Sequence, residues 1–260
     1  MASPQPLGRI LVTGGSGFVG RPLVRRLVAD GFEVHVAGRR PAAGLNGALA
    51  HGIDLLSELT PDPLISRVRP DTLVHLAWVT DASSYWTSDQ NAGWRSATVG
   101  LVRAFLSAGG RRVLVTGTSA EYDWRLSGPY CEDSARDPGS TPYGAAKLAA
   151  FDEVTELCRA HGASLLWARL FAPFGPGEDS RRLVPRVCRA LLAGDPLNFT
   201  GPREVRDFIH VDEQADALAL ALRSDIEGPL NVASGRGASV QDLVRGLAAA
   251  LARSGQGRGV

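Results

Sequence analysis

Cysteine is scarce in this chain, and no charge of one sign dominates it. Cys131, Cys158 and Cys188 are the only three cysteines in 260 residues. They are scattered and odd in number, with no metal-ligand spacing, so neither a disulfide framework nor a metal site is expected and a reducing compartment suits them. The net charge of +1 gives no basis for expecting nucleic acid or an anionic membrane as a partner. No apolar run reaches membrane-spanning length. The opening MASPQPLG has neither a charged nor an apolar region of a signal peptide, so it is expected to be a loose tail on a cytoplasmic protein. There is no tandem repeat. A 44% hydrophobic and 21% charged composition is that of an ordinary globular chain, long enough for one large α/β domain or a core domain with a small lobe.

What the chain does have is a glycine turn near its start. Ile10, Leu11 and Val12 form a short apolar run fit for a buried strand, which Thr13 and Gly14 end. Gly14, Gly17 and Gly20 then fall at three-residue steps, and Phe18, Val19, Leu23, Val24, Leu27 and Val28 follow at helical spacing. This is a strand, a glycine turn and a helix. A helix start of that kind offers free N–H groups and a positive dipole end to a pyrophosphate. Gly14 would permit the tight turn, Gly17 the approach of phosphate to backbone, and Gly20 the close packing of helix on strand.

Further along, Phe32 to Ala37 is predicted as a second strand, followed by Gly38, Arg39 and Arg40. This strand end meets the adenosine ribose in dinucleotide-binding folds, where an acid selects a 2′-hydroxyl and an arginine a 2′-phosphate. With Gly38 at the acid's place and two arginines after it, NADP(H) is expected over NAD(H), although NAD(H) is possible. Gly44 to Gly52 is expected to be a loop, Ser57 to Val68 a helix, and Thr72 to Ala77 a buried strand with His75 packed in the core. Tyr85 to Gly109 is expected to be mostly helical and Arg112 to Val115 another strand. Strands alternating with helices argue for a doubly wound, mainly parallel sheet.

TGTSAEYDW (116–124) then brings small hydroxyl side chains to a strand's carboxyl end. Thr141 is placed to cap a helix with Pro142 at its first position. Tyr143 and Lys147, four residues apart, share a helix face. A phenol is a poor acid–base group at neutral pH, and an ammonium one turn away would stabilise its phenolate. Towards the C-terminus, 179–193 is amphipathic, 197–200 is a candidate short strand, and 211–222 and 240–251 are candidate helices.

The stretches TGGSGFVG (13–20), HLAW (75–78), TGTSAEYD (116–123), YGAAK (143–147), RLFAPFGPG (169–177), REVRDFIHVDEQADAL (203–218) and PLNVASG (229–235), in that order, resemble the extended short-chain dehydrogenase/reductases of the nucleotide-sugar epimerase/dehydratase group. The resemblance covers roughly residues 9–250. It implies a Rossmann-type α/β fold: residues 1–170 as the dinucleotide-binding domain, and 171–260 as a small substrate lobe interleaved with returning sheet elements. It implies that Gly14, Gly17, Phe18, Val19 and Gly20 line the pyrophosphate and that Arg39 and Arg40 face the 2′-phosphate. Asp54 and Leu55 would flank adenine, with Leu76, Ala77 and Phe171 lining the cofactor cleft. Thr118 would hold the substrate oxygen, Tyr143 act as acid–base, and Lys147 tune it and bind the nicotinamide ribose. Thr80, Ser119, Glu121, Ala172 and Arg206 would meet the nucleotide-sugar substrate, Arg206 at its diphosphate. A homodimer through the helices at 85–109 and 143–160 is implied as well.

The chain departs from the family pattern in several places. Ser119 and Ala120 stand where dehydratases of the family carry an Asp–Glu pair, which argues against a 4,6-dehydratase. Glu121 takes a place usually held by valine. Ala172 replaces the asparagine that holds the sugar diphosphate. Val260 falls several tens of residues before the end that relatives lead one to expect, so a short substrate lobe is anticipated. The leading expectation is an NADP(H)-dependent 4-ketoreductase of a nucleotide-activated 4-keto-6-deoxy sugar. The alternatives are a nucleotide-sugar epimerase with tightly bound NAD(P), and a non-catalytic dinucleotide sensor.

Overall fold

A computed structural model describes residues 8–39, 45–57, 61–137, 139, 141–197 and 201–254. The sheet strands are β1 (Arg9–Thr13), β2 (Glu33–Gly38), β3 (Leu49–Gly52), β4 (Thr72–His75), β5 (Arg112–Thr118), β6 (Ser164–Leu170) and β9 (Gly228–Val232), in the order β3-β2-β1-β4-β5-β6-β9. Every neighbouring pair in it is parallel. A second, three-stranded sheet has the order β10-β8-β7, built from β7 (Ala172–Phe174), β8 (Val205–His210) and β10 (Gly237–Ser239). The helices are α1 (Gly20–Ala29), α2 (Asp62–Val68), α3 (Gln90–Ser107), α4 (Pro142–Ala160), α5 (Leu183–Ala193), α6 (Val211–Leu222) and α7 (Val240–Arg253).

The large sheet is covered on both faces, which is why its central strands are continuous apolar runs. Alternation along each strand divides the core in two. Leu11, Leu73, Val113, Val115, Leu165 and Trp167 pack towards α2, α3 and α4. Ile10, Val12, Val74, Leu114, Leu166 and Ala168 pack towards α1 and α6. Burying one such side chain fully contributes about 1.5–3 kcal/mol.

The strand order reverses between β1 and β4, and a crevice opens at their carboxyl ends. The turn after β1 is tight there. Gly14 has φ +73°, and a Cβ on it would lie 2.7 Å from the Ala77 nitrogen. A Cβ on Gly20 would lie 2.2 Å from the Gly14 carbonyl oxygen. Neither position tolerates a side chain without moving backbone.

Several elements differ from expectation. Within 44–52, expected as loop, Leu49–Gly52 pairs in parallel with β2. Its residues are mostly exposed, so no apolar pattern marks it; the β2 backbone recruits it as an edge. The helix expected from Ser57 begins at Asp62, because Pro61 and Pro63 supply no N–H for an earlier turn. Asp54 instead holds a turn, its carboxylate accepting the Leu56 N–H at 3.1 Å. The helix expected from Tyr85 begins at Gln90, after turns at 82–87. Of the strand expected at 197–200, Leu197 lies in no element and the rest falls outside the described residues.

His75 is packed in the core, 0% exposed. Its Nε2 meets the Thr98 hydroxyl at 2.8 Å and its Nδ1 the Thr13 hydroxyl at 2.6 Å. The Thr98 hydroxyl donates to the Trp94 carbonyl and so accepts from Nε2–H, leaving Nδ1 to accept from Thr13. That assigns the neutral Nε2–H tautomer. Burial lowers the His75 pKa to about 3 from 6.5. Below pH 6.5 the unfolded chain therefore binds a proton that the folded chain refuses. His75's contribution is complete above pH 6.5 and is lost as pH falls towards 3. We expect this residue to add up to about 1.4 kcal/mol per pH unit to the acid-side slope of unfolding free energy. His75→Gln should flatten that slope in denaturant melts collected across this range.

Candidate active site

The crevice continues into a cleft of about 1440 Å³ running across the carboxyl ends of the strands. At one end stand Gly14, Gly17, Phe18, Val19 and Gly20, with Arg39, Asp54 and Leu55 beside them. Leu76 and Ala77 line its middle. Thr118, Ser119, Tyr143, Lys147, Thr80, Phe171, Ala172 and Arg206 line the rest. Arg39 is exposed at the rim; Arg40 lies outside the described residues. One residue expected to meet substrate does not reach the cleft: Glu121 is 0% exposed and ion-paired to Arg169 at 2.8 Å. A carboxylate so deep needs charged and N–H partners, and it finds them beneath the strand end rather than in the cleft.

The glycine turn fits a dinucleotide. A Cβ on Gly17 would meet nothing but the Gly14 carbonyl oxygen, at 3.2 Å, so the cradle is the space a side chain would occupy. The Gly17 N–H donates back to that carbonyl at 3.0 Å, closing the turn at the head of α1.

The acid–base candidates come from two elements. Thr118 ends β5 and opens a single 3-10 turn (Ser119–Glu121), its hydroxyl accepting the Ala120 N–H at 3.2 Å. Tyr143 and Lys147 lie on the first turns of α4, whose start is fixed by Thr141, its hydroxyl accepting the Gly144 N–H at 2.9 Å. Burial pushes the Tyr143 phenol above its ordinary range, and the facing Thr118 hydroxyl works against that shift. Burial lowers Lys147 to about 7.

Lys147 makes its polar contacts elsewhere than at the phenol. Its Nζ donates to the Thr116 carbonyl at 2.7 Å and sits 3.8 Å from the centroid of the Trp78 ring. A buried ammonium takes the carbonyl and π face within reach.

An aromatic wall surrounds Tyr143 and was not anticipated. Tyr85 and Trp86 meet its ring edge-on at centroid distances of 5.1 and 5.6 Å, Trp78 does so at 6.4 Å, and Trp124 packs on Trp86 at 5.9 Å. The Tyr143 N–H also donates to the Trp86 carbonyl. Arg182 stands 5.3 Å from the Tyr85 centroid at the cleft. The chain has only five tryptophans, and four of them, Trp78, Trp86, Trp94 and Trp124, line this cleft. In sequence Trp78 follows β4, Trp86 lies in the next loop, Trp94 in α3 and Trp124 after β5, so no single stretch marks the wall.

Comparison with known proteins agrees with this geometry. Residues 10–233 match the NAD dependent epimerase/dehydratase family. The chain belongs to that family. It is therefore an NAD(P)-dependent enzyme of the extended short-chain dehydrogenase/reductase type. It is 31% identical over 267 residues to the UDP-glucose 4-epimerase of Azospirillum brasilense, across 92% of this chain and 76% of that protein. The UDP-glucose 4-epimerase of Thermus thermophilus, solved with NAD, is 25% identical, with TM-score 0.81 over 94% of this chain and 83% of that one. A UDP-glucose 4-epimerase of Thermotoga maritima matches in fold with TM-score 0.85 at 23% identity, over 96% of this chain and 84% of that one. Among the described residues no helix is long and apolar enough to cross a membrane.

Gly17→Ala tests the cradle. The added methyl should leave the melting temperature nearly unchanged and weaken NAD(H) binding by about tenfold or more, a cost of about 1.4 kcal/mol, read by nicotinamide fluorescence titration.

Proposed function

We propose that this protein moves a hydride at C4 of a nucleotide-linked hexose and returns it to the opposite face, as a 4-epimerase. The observation that carries this reading is the meeting of Thr118, Tyr143 and Lys147 at the junction of the glycine cradle and the aromatic end of the cleft. The UDP-glucose 4-epimerases among the chain's relatives support it. Gly14, Gly17 and Gly20 would admit the pyrophosphate, Asp54 and Leu55 the adenine, and Lys147 the nicotinamide ribose. When bound, the oxidised nicotinamide would supply the hydride acceptor and a positive charge.

In this reading Tyr143 takes the proton of the sugar hydroxyl as the carbonyl forms and returns it when the hydride comes back. Thr118 hydrogen-bonds the same oxygen and stabilises its developing charge. The rings of Tyr85, Trp86 and Trp124 exclude water and offer flat apolar faces to a pyranose. Arg206, held at 2.8 Å by Glu204, lies at the cleft where a diphosphate would need a guanidinium. Ser119 and Ala120 offer no acid–base pair for dehydration.

A second reading, the NADP(H)-dependent 4-ketoreductase of a 4-keto-6-deoxy sugar, is favoured by one observation: β2 ends in Gly38–Arg39 with no acid for a ribose 2′-hydroxyl. A homodimer through α3 and α4 belongs to both readings. A shallow groove along their junction, lined by Ala92, Arg95, Ala145 and Ala149, supports it.

The two readings separate in one assay. With UDP-glucose and NAD, the epimerase yields UDP-galactose without net change in nicotinamide absorbance. The reductase leaves UDP-glucose alone and consumes NADPH with nucleotide-linked 4-keto-6-deoxy sugars. Tyr143→Phe should lower kcat by about 10²–10⁴-fold in whichever reaction is found, with cofactor binding retained. Near-full turnover by that variant would sink both readings. If NADP(H) is the cofactor, Arg39→Ala should weaken NADPH binding by about tenfold and leave NADH binding unchanged.

A further inference from the structure

Behind the Thr118–Tyr143–Lys147 set lies a second group of buried polar side chains that faces away from the cleft. Glu121 Oε1 accepts the backbone N–H of Thr118 at 2.9 Å and the indole N–H of Trp167 at 3.0 Å. Its Oε2 accepts Nε–H of Arg169 at 2.8 Å. Arg169, 1% exposed, spends further donors on the Tyr122 hydroxyl and the Glu132 carbonyl, each at 2.8 Å. The packing against β5 is direct. A Cβ on Gly117 would lie 2.2 Å from the Trp167 indole nitrogen and 2.5 Å from Glu121 Oε1. The strand end is therefore gripped twice, by Lys147 at the Thr116 carbonyl and by Glu121 at the Thr118 N–H.

We propose that Glu121 is a positioning residue: a buried carboxylate, oriented by Arg169 and Trp167, that fixes Thr118 opposite Tyr143 and sets a negative charge behind Lys147. The proposal rests on the hydride-transfer reading above and deepens it. Three buried N–H donors converge on this carboxylate. An apolar side chain at 121 would leave all three without an acceptor, so Glu121 and Trp167 form a matched pair. Of the carboxylate's partners only Thr118 lines the cleft, and it meets Glu121 through its backbone N–H; both carboxylate oxygens are occupied by buried donors, which removes a substrate-binding role.

Its charge also reaches the acid–base set. Lys147 is faced by Glu121 from the 3-10 turn, His75 from β4, the Trp78 ring and Tyr143 on its own helix. His75 is neutral near pH 7. Tyr143 is faced by Thr118, Tyr85, Arg182 and Glu121. Against the lowering by burial, Glu121 is the group that raises Lys147 and holds its ammonium form. Removing that charge moves loss of the ammonium to lower pH.

The test uses the full chain as Glu121→Gln, Glu121→Asp and Trp167→Phe. Glu121→Gln should lower kcat by about tenfold or more and move the alkaline limb of its pH profile down by about one unit, with KM for the nucleotide sugar within about twofold. Glu121→Asp keeps the charge but is one methylene short of the Thr118 N–H, so kcat should fall while the limb stays. Trp167→Phe removes one donor and should leave the limb in place. The alkaline limb of NADH binding, read by fluorescence, should move with Glu121→Gln even without substrate. A folded Glu121→Gln protein with unchanged kcat and limb overturns the proposal. If that variant fails to fold, unchanged kcat in Glu121→Asp overturns it. A wild-type protein that binds NADH but turns over no nucleotide sugar defeats the hydride-transfer reading instead, and the pH profile of NADH binding then decides Glu121 alone.

Discussion

The close approach of Gly20 to the Gly14 carbonyl decides where everything else in the molecule stands. With 2.2 Å available to a Cβ there, only two glycines let α1 lie so near the end of β1. That nearness aims the N-terminus of α1 across the crevice where the strand order reverses. Gly14 in turn presses on the Ala77 backbone and so fixes the end of β4 against the end of β1. The cleft is the space left when two strand ends and a helix start are held at backbone contact.

The polar interior under this cleft is the costly part of the structure. His75, Glu121, Lys147 and Arg169 are all buried within or beside the large sheet. Each is tolerated by complete hydrogen bonding or by pairing. His75 stays neutral between two threonine hydroxyls, Lys147 rests on a carbonyl and a π face, and Glu121 pairs with Arg169. Replacing a whole buried pair by well-packed apolar groups is often neutral for folding, whereas removing one partner leaves the other uncompensated. The concentration of these four side chains around the end of β5, rather than across the core, points to chemistry at that strand end.

The parts of this arrangement that depend on local rules were readable from the chain. The glycine turn, the Thr141 cap and the shared helix face of Tyr143 and Lys147 each follow from backbone geometry over a few residues. The parts that depend on partners distant in sequence were not. β3 has no apolar pattern because it is an exposed edge. β8 and β10 are short strands defined by each other. Glu121 looked like a cleft residue because its neighbours Thr118 and Ser119 are cleft residues. Its true partners, Trp167 and Arg169, lie about 50 residues away on β6, and only the β5–β6 pairing brings them under it. The aromatic wall is hidden in the sequence for the same reason, since Trp124 joins Trp86 only through the folded loops.

Within one fold, the reaction is set by a handful of side chains around a constant proton-transfer pair. On the proposed reading, Tyr143 and Thr118 would move a proton to or from a sugar oxygen whichever way the hydride travels. Elimination of water needs further acid and base groups, and the places where relatives carry them hold Ser119 and Ala120. The carboxylate that remains nearby, Glu121, is turned inward and tied to Arg169, where it has no path to a substrate proton. Its burial converts what would have been a reacting group into part of the support for Thr118. In that reading, this stretch of chain serves oxidation and reduction at one carbon rather than loss of water. For the proposed epimerase, the face that receives the hydride would follow from how the sugar turns against the aromatic wall of Tyr85, Trp86 and Trp124.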